Sequence, residues 1–165
     1  MTETPTLQPR SLQRQSRAVE QYVSLLIRLH EQMRSGDEEG AEETREQMDA
    51  PGLLLNEDEI GLVKGLSADL YLLSGEEVLR PSVLSKQELS LRLLDAYKSR
   101  DADLVLTLLR KAERPDSPSS SAYARSIAYG WLGLEEAART FLLYASELDF
   151  QHVSSSNGLF HAAAA

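Results

Sequence analysis

Apolar residues recur every three or four positions along almost the whole chain, and that spacing fits one kind of secondary structure. Leu12, Val19, Tyr22, Leu26, Leu29 and Met33 form a stripe of nearly heptad period, widened by Val23, Leu25 and Ile27. Ile60, Val63, Leu66, Leu70 and Leu73 form a second stripe, and Leu89, Leu93, Ala96 and Tyr97 a third. Leu104, Val105, Leu108, Leu109 and Ala112 follow, then helical patterns near 119–132 and 134–148. No segment alternates with period two between turn signals, so no sheet is expected. The predicted fold class is all-α, with about six to eight helices.

Local signals punctuate these stripes. Gly36 ends one helix and Asp37 caps the next, a polar one running to about Met48. Pro51-Gly52 marks a turn. Asn56 with Glu59, and Ser85 with Glu88, have capping-box spacing. Asp101 caps a further helix, Gly75 and Gly133 mark turns, Pro81 breaks the chain, and 114–121 read as a polar loop. Gly61, Gly65, Ala68 and Leu72 share a helix face. Glycine inside a helix costs about 1 kcal/mol relative to alanine, so a second helix is expected to pack closely there. Residues 1–10 read as a disordered tail, 11–153 as one all-helical domain, and 154–165 as a flexible Ser-rich tail ending in alanines.

Composition narrows the function classes. The 165 residues include no cysteine, which excludes a disulfide framework and a cysteine-held metal site. Lys and Arg number 17 against 26 Asp and Glu, a net charge of −9, which argues against nucleic acid as a partner. The imbalance sits in residues 37–59, where ten acidic residues meet Arg45 alone. Such a run reads as a solvated helix face or as a docking surface for a basic partner. Arg10, Arg14 and Arg17 are a weakly basic counterpart. No apolar run is long enough to span a membrane, and the polar start Met1–Arg10 does not read as a secretory leader, so a cytoplasmic location is expected.

Chemistry finds little purchase. His30, His152 and His161 lack metal-ligand spacing, and His30 reads as a partly buried structural residue. There is no nucleophile elbow and no glycine-rich phosphate loop. Asp69 lies among Ala68, Leu70 and Tyr71 and reads either as the acid of a structural pair with an arginine or as a buried functional group. No catalytic, cofactor or metal residues are assigned, and the chain is expected not to be an enzyme.

An internal echo adds an architecture. Ala96-Tyr97 overlays Ala128-Tyr129 at an offset of 32 residues, which sets Asp101 on Gly133, Leu106 on Ala138 and Leu109 on Phe141. Each unit reads as helix, short turn, helix, and neither buries its apolar face alone. The stretch from Ala128 to Ala138 resembles the tetratricopeptide repeat, over about residues 86–150. Each unit keeps about half the signature: the aromatic falls on Tyr97 and Tyr129, the turn glycine on Gly133 but on Asp101 earlier. The resemblance implies stacked antiparallel hairpins in a right-handed helical array. Its first helices would line a groove with Glu88, Leu91, Asp95 and Lys98, then Ser120, Tyr123, Ile127 and Trp131. Leu91, Ile127 and Trp131 also read as ordinary core.

The function expected from this is a protein–protein interaction module, an adaptor or scaffold holding a peptide or helix of a partner protein. One alternative is a chaperone-like repeat that shields a secreted or filament-forming partner, which needs a larger exposed apolar surface. Another is a helical enzyme or small-ligand sensor, which needs an enclosed pocket. The Val19–Met33 stripe has a second use, as a homodimer seam.

Overall fold

A computed structural model describes residues 15–73, 84–111 and 118–162. Every element among them is helical, and the all-α class holds. The first helix, α1 (Arg17–Ser35), starts where the Ser16 side chain accepts the Val19 N–H, and stops at Gly36. Gly36 takes φ 76, a left-handed conformation that costs glycine little. Asp37 then caps α2 (Glu38–Gly52) by accepting the Gly40 N–H, which folds α2 back against α1. Ala41, Thr44, Met48 and Pro51 face inward, and the Thr44 hydroxyl donates to Gln32 Oε1 at 2.7 Å. Pro51 belongs to the last turn of α2, so the turn expected at Pro51-Gly52 comes slightly later.

The helix α3 (Glu57–Leu73) opens with the reciprocal bonds of a capping box: Glu59 N–H to Asn56 Oδ1, Asn56 N–H to Glu59 Oε2. The Ser16 side chain, followed by the Asn56 N–H, holds the Glu59 carboxyl below its ordinary value. Val63, Leu66 and Leu70 of α3 are buried against the core. His30 is buried too, edge-on to Tyr71 with ring centres 4.5 Å apart, its Nε2 3.4 Å from Ser67 Oγ.

Helices α4 (Lys86–Ser99), α5 (Ala102–Lys111), α6 (Pro118–Trp131) and α7 (Glu135–Ala162) pack in succession, and α7 also meets α1. Thus α1 is touched by α2, α3 and α7. Val19, Val23, Leu26 and Ile27 are buried in the core, so most of the expected stripe packs within the chain, while Met33 at its end is exposed. Gln15 Nε2 donates to the Leu132 carbonyl at 2.6 Å, and Ser24 donates to Glu136, tying α1 to the α6–α7 turn.

The two later turns are built alike, but one residue away from the sequence overlay. Gly133 (φ 74) receives a turn in which Leu134 N–H reaches the Tyr129 carbonyl. In the earlier turn Arg100 (φ 51) holds that position, and Asp101 N–H reaches the Ala96 carbonyl. Arg100, not Asp101, therefore matches Gly133, and Ala96 matches Tyr129. Asp101 instead accepts the Leu104 N–H at its Oδ1 and so caps α5. The last helix also differs from expectation. It continues past Leu148 through the Ser-rich stretch to Ala162, since no proline interrupts it and extension costs less than nucleation. The readings at Gly75, Pro81, residues 1–10 and 114–117 of the expected loop lie outside the described residues, whereas 118–121, also expected as loop, form the first turn of α6.

Candidate partner-binding surface

α6 is buried on most sides. Ser121, Ala122, Ala124, Arg125, Ser126, Ala128 and Tyr129 all face the interior. What remains outward is narrow: Ser120, Tyr123, Ile127, Gly130 and Trp131, spaced as one helical stripe. Tyr123 is 54% exposed, and Ile127 and Trp131 are half-buried. Trp131 meets Tyr97 of α4 edge to face, with ring centres 5.9 Å apart. Burial raises the Tyr97 phenol above its ordinary value, and the neighbouring Tyr123 phenol raises it further. Three aromatic rings thus gather where α4 and α6 meet.

The α4 residues expected to line the groove stand on that helix's exposed side. Leu91 is 59% exposed, and Asp95 and Lys98 are exposed with a 3.9 Å ion pair between them. Glu88 is less free, because its carboxylate takes Arg92 at 2.8 Å. Such exposed i,i+3 and i,i+4 pairs are worth at most a few tenths of a kcal/mol each. Tyr123, Ile127 and Trp131 therefore form one stripe, whereas Leu91, Asp95 and Lys98 share a face of α4. The ring contact that joins α4 to this stripe runs through Tyr97, which the repeat resemblance does not place in the groove. Leu94, three residues beyond Leu91 and exposed, belongs with it and was legible from that spacing.

Behind the stripe lies a buried ionic cluster. Asp69 of α3 is fully buried and takes both arms of Arg110: Nε to Oδ1 at 3.0 Å and Nη2 to Oδ2 at 2.9 Å. The Tyr129 hydroxyl donates to Oδ2 at 2.6 Å, and Arg125 Nε stands 3.3 Å from Oδ1. Arg125 Nη1 also donates to Ser121 Oγ. Burial pulls the Arg110 value down, but the bonds and charge of Asp69 outweigh it and the net direction is up. Tyr129 is raised well above its ordinary value, first by burial and then by the Asp69 charge. The carboxylate therefore has the arginine its surroundings called for, in a geometry that orders α3, α5 and α6 against one another.

The small-residue face of α3 finds its explanation here. A Cβ at Gly65 would lie 2.6–2.9 Å from the Arg110 guanidinium. The close approach comes from a side chain, not from a second helix backbone, while Gly61 faces open space.

An open cleft of about 410 Å³ lies between the ends of α1 and α3 and the middle of α7, lined by residues that include Arg34, Leu73, Leu143 and Tyr144. Among the described residues, no three His, Cys, Asp or Glu side chains gather as a metal site. Nor is any helix among them long and apolar enough to cross a membrane. No family model, curated protein or solved structure matches the chain.

Proposed function

We propose that this chain is a non-enzymatic interaction module: a tetratricopeptide-like pair of hairpins, α4–α5 and α6–α7, that holds an amphipathic helix of a partner protein. The observation that carries this reading is the outward stripe of α6. A helix otherwise buried keeps Tyr123 out in solvent, beside Ile127 and Trp131, with Tyr97 at its edge. Aromatic side chains supply large contact area at low entropic cost and dominate binding hot spots. Their spacing of four residues suits ridges from another helix. Leu91 and Leu94 on α4 extend the apolar area beyond the stripe.

The test compares the proteins retained by the wild-type chain and by Tyr123→Ala. Tyr123 is exposed, so its truncation should change stability by less than about 0.5 kcal/mol. Loss of a hot spot should weaken partner binding by about 2 kcal/mol or more, roughly thirtyfold. Retention of the partner at about 0.5 M salt, where surface charges are screened, assigns the contact to the apolar stripe. A partner captured equally by both proteins removes the stripe from consideration. Loss of the partner with salt alone points instead to the acidic α2.

A further inference from the structure

The outer side of α7 carries a second apolar surface. Leu142, Leu143 and Phe150 are 45%, 59% and 74% exposed. With Arg139 and Ser146 they fall within about 100° of the helix circumference. The opposite side of α7, with Ala137, Phe141 and Ala145, is buried in the core. Ser146 sits at the centre of the exposed face, and its hydroxyl donates to the Leu142 carbonyl at 3.0 Å. A small side chain whose donor is already satisfied lets another backbone come close at that point.

The charges on this face are ordered. Glu135 and Arg139, four residues apart, stand toward its N-terminal end and Asp149 at its margin toward the C-terminal end, all exposed. We propose that the face is a two-fold contact between two copies of this chain, α7 against α7 antiparallel, crossing near Ser146. Running one helix backward against the other brings Phe150 of each copy over Leu142 and Leu143 of the other. It also sets Arg139 of each copy about one helical turn from Asp149 of the other. A parallel pair would set arginine on arginine and aspartate on aspartate, which is repulsive. A face that holds both halves of its own complement is what an isologous contact requires. The cleft of about 410 Å³ that Leu143 and Tyr144 line borders the same face, and it gives the incoming Phe150 ring a place to seat.

The scale of the contact sets its strength. Two helix faces of three to four turns bury less than the roughly 1,200–2,000 Å² typical of a stable interface, so the dimer should be a weak one, dissociating at about 10–100 µM. Sedimentation equilibrium of the full chain from about 5 to 500 µM covers that window. The expected result is a monomer–dimer transition inside it. Phe150→Glu and Leu143→Glu should each move the midpoint upward at least about tenfold while leaving helicity and melting unchanged. Arg139→Glu should weaken the dimer, and adding Asp149→Arg to it should restore association. A chain that remains monomeric throughout overturns the proposal, as does a dimer that tolerates Phe150→Glu or that the double charge reversal fails to rescue. Crosslinks from this face to another segment of the same chain would identify an intramolecular cover and overturn it as well.

Discussion

Gly65 and Arg110 compete for one volume. A methyl group at residue 65 would fall within 2.6–2.9 Å of the guanidinium that grips Asp69 with two bonds. Alanine is worth about 1 kcal/mol over glycine inside a helix. Breaking a buried ion pair costs about 3–5 kcal/mol, because the remaining charge is stranded. Gly65→Ala should therefore destabilise the protein by about 1–3 kcal/mol. In an Arg110→Ala background the same change should stabilise it by about 1 kcal/mol. A double-mutant cycle by urea denaturation reads the reversal of sign, and a Gly65→Ala cost that survives the loss of Arg110 would mean the helix, not the guanidinium, needs the glycine. Tyr129, in the same cluster, yields a pH prediction. Its phenol is raised well above the ordinary 10.0, so the folded chain keeps a proton that the unfolded chain releases. That contribution is whole below about pH 10 and is lost as pH rises toward the folded value. Above pH 10 the wild type should lose stability more steeply than Tyr129→Phe, by about 1.4 kcal/mol per pH unit. Denaturant titrations at several alkaline pH values measure the two slopes.

The elements that sequence resolves well are those whose causes are local. The caps at Asp37, Asn56, Ser85 and Asp101 each act within three residues and stand where the sequence places them. The earlier turn is expected at Asp101 and stands one residue before it, because a left-handed arginine carries no residue-type signal, whereas Gly133 announces itself. The shared Ala-Tyr pair, Ala96-Tyr97 and Ala128-Tyr129, instead drew the overlay to 32 residues where the turns match at 33. That pairing joins unlike residues, since Tyr97 borders Trp131 whereas Tyr129 is buried against Asp69. The length of α7 was hidden because serine is a mild helix former whose preference its neighbours override. Of the candidate surface, the Tyr123–Ile127–Trp131 spacing was legible, but its ring contact with α4 depends on packing between helices distant in sequence. Glycine relieves a left-handed position at little cost, so Arg100→Gly should stabilise by about 0.5–1 kcal/mol, and Gly133→Ala should cost about 1 kcal/mol. Thermal melts of the two variants against the wild type test this, and a destabilised Arg100→Gly would show that the arginine side chain contributes more than its backbone strain costs.

Across the whole molecule, charge is segregated. α2 puts six acidic residues and one arginine on a helix whose buried side is Ala41, Thr44, Met48 and Pro51. Glu39 and Glu43, like Glu42 and Glu46, repel at i,i+4 spacing by a few tenths of a kcal/mol each. The Arg45–Glu42 pair offsets part of this at 2.7 Å. Raising salt from about 10 mM to 0.3 M shortens the Debye length from about 30 Å to well under 10 Å. The melting temperature should rise by a few degrees over that range, with most of the gain lost in a Glu43→Lys variant. A melting temperature indifferent to salt would mean the α2 charges are already neutralised.

The Asp69 cluster also has a consequence in time. The carboxylate and the hydroxyl that caps it are 60 residues apart in the chain. At ribosomal speeds of about 5–20 residues per second, Asp69 is made roughly 3–12 s before Tyr129. During that interval α1–α3 has no finished lock, since Arg110 and Arg125 come late as well. The N-terminal helices should therefore remain loosely docked on the growing chain and consolidate only when α6 arrives. A nascent chain arrested before residue 125 would be far more open to protease than one arrested after α6 has emerged.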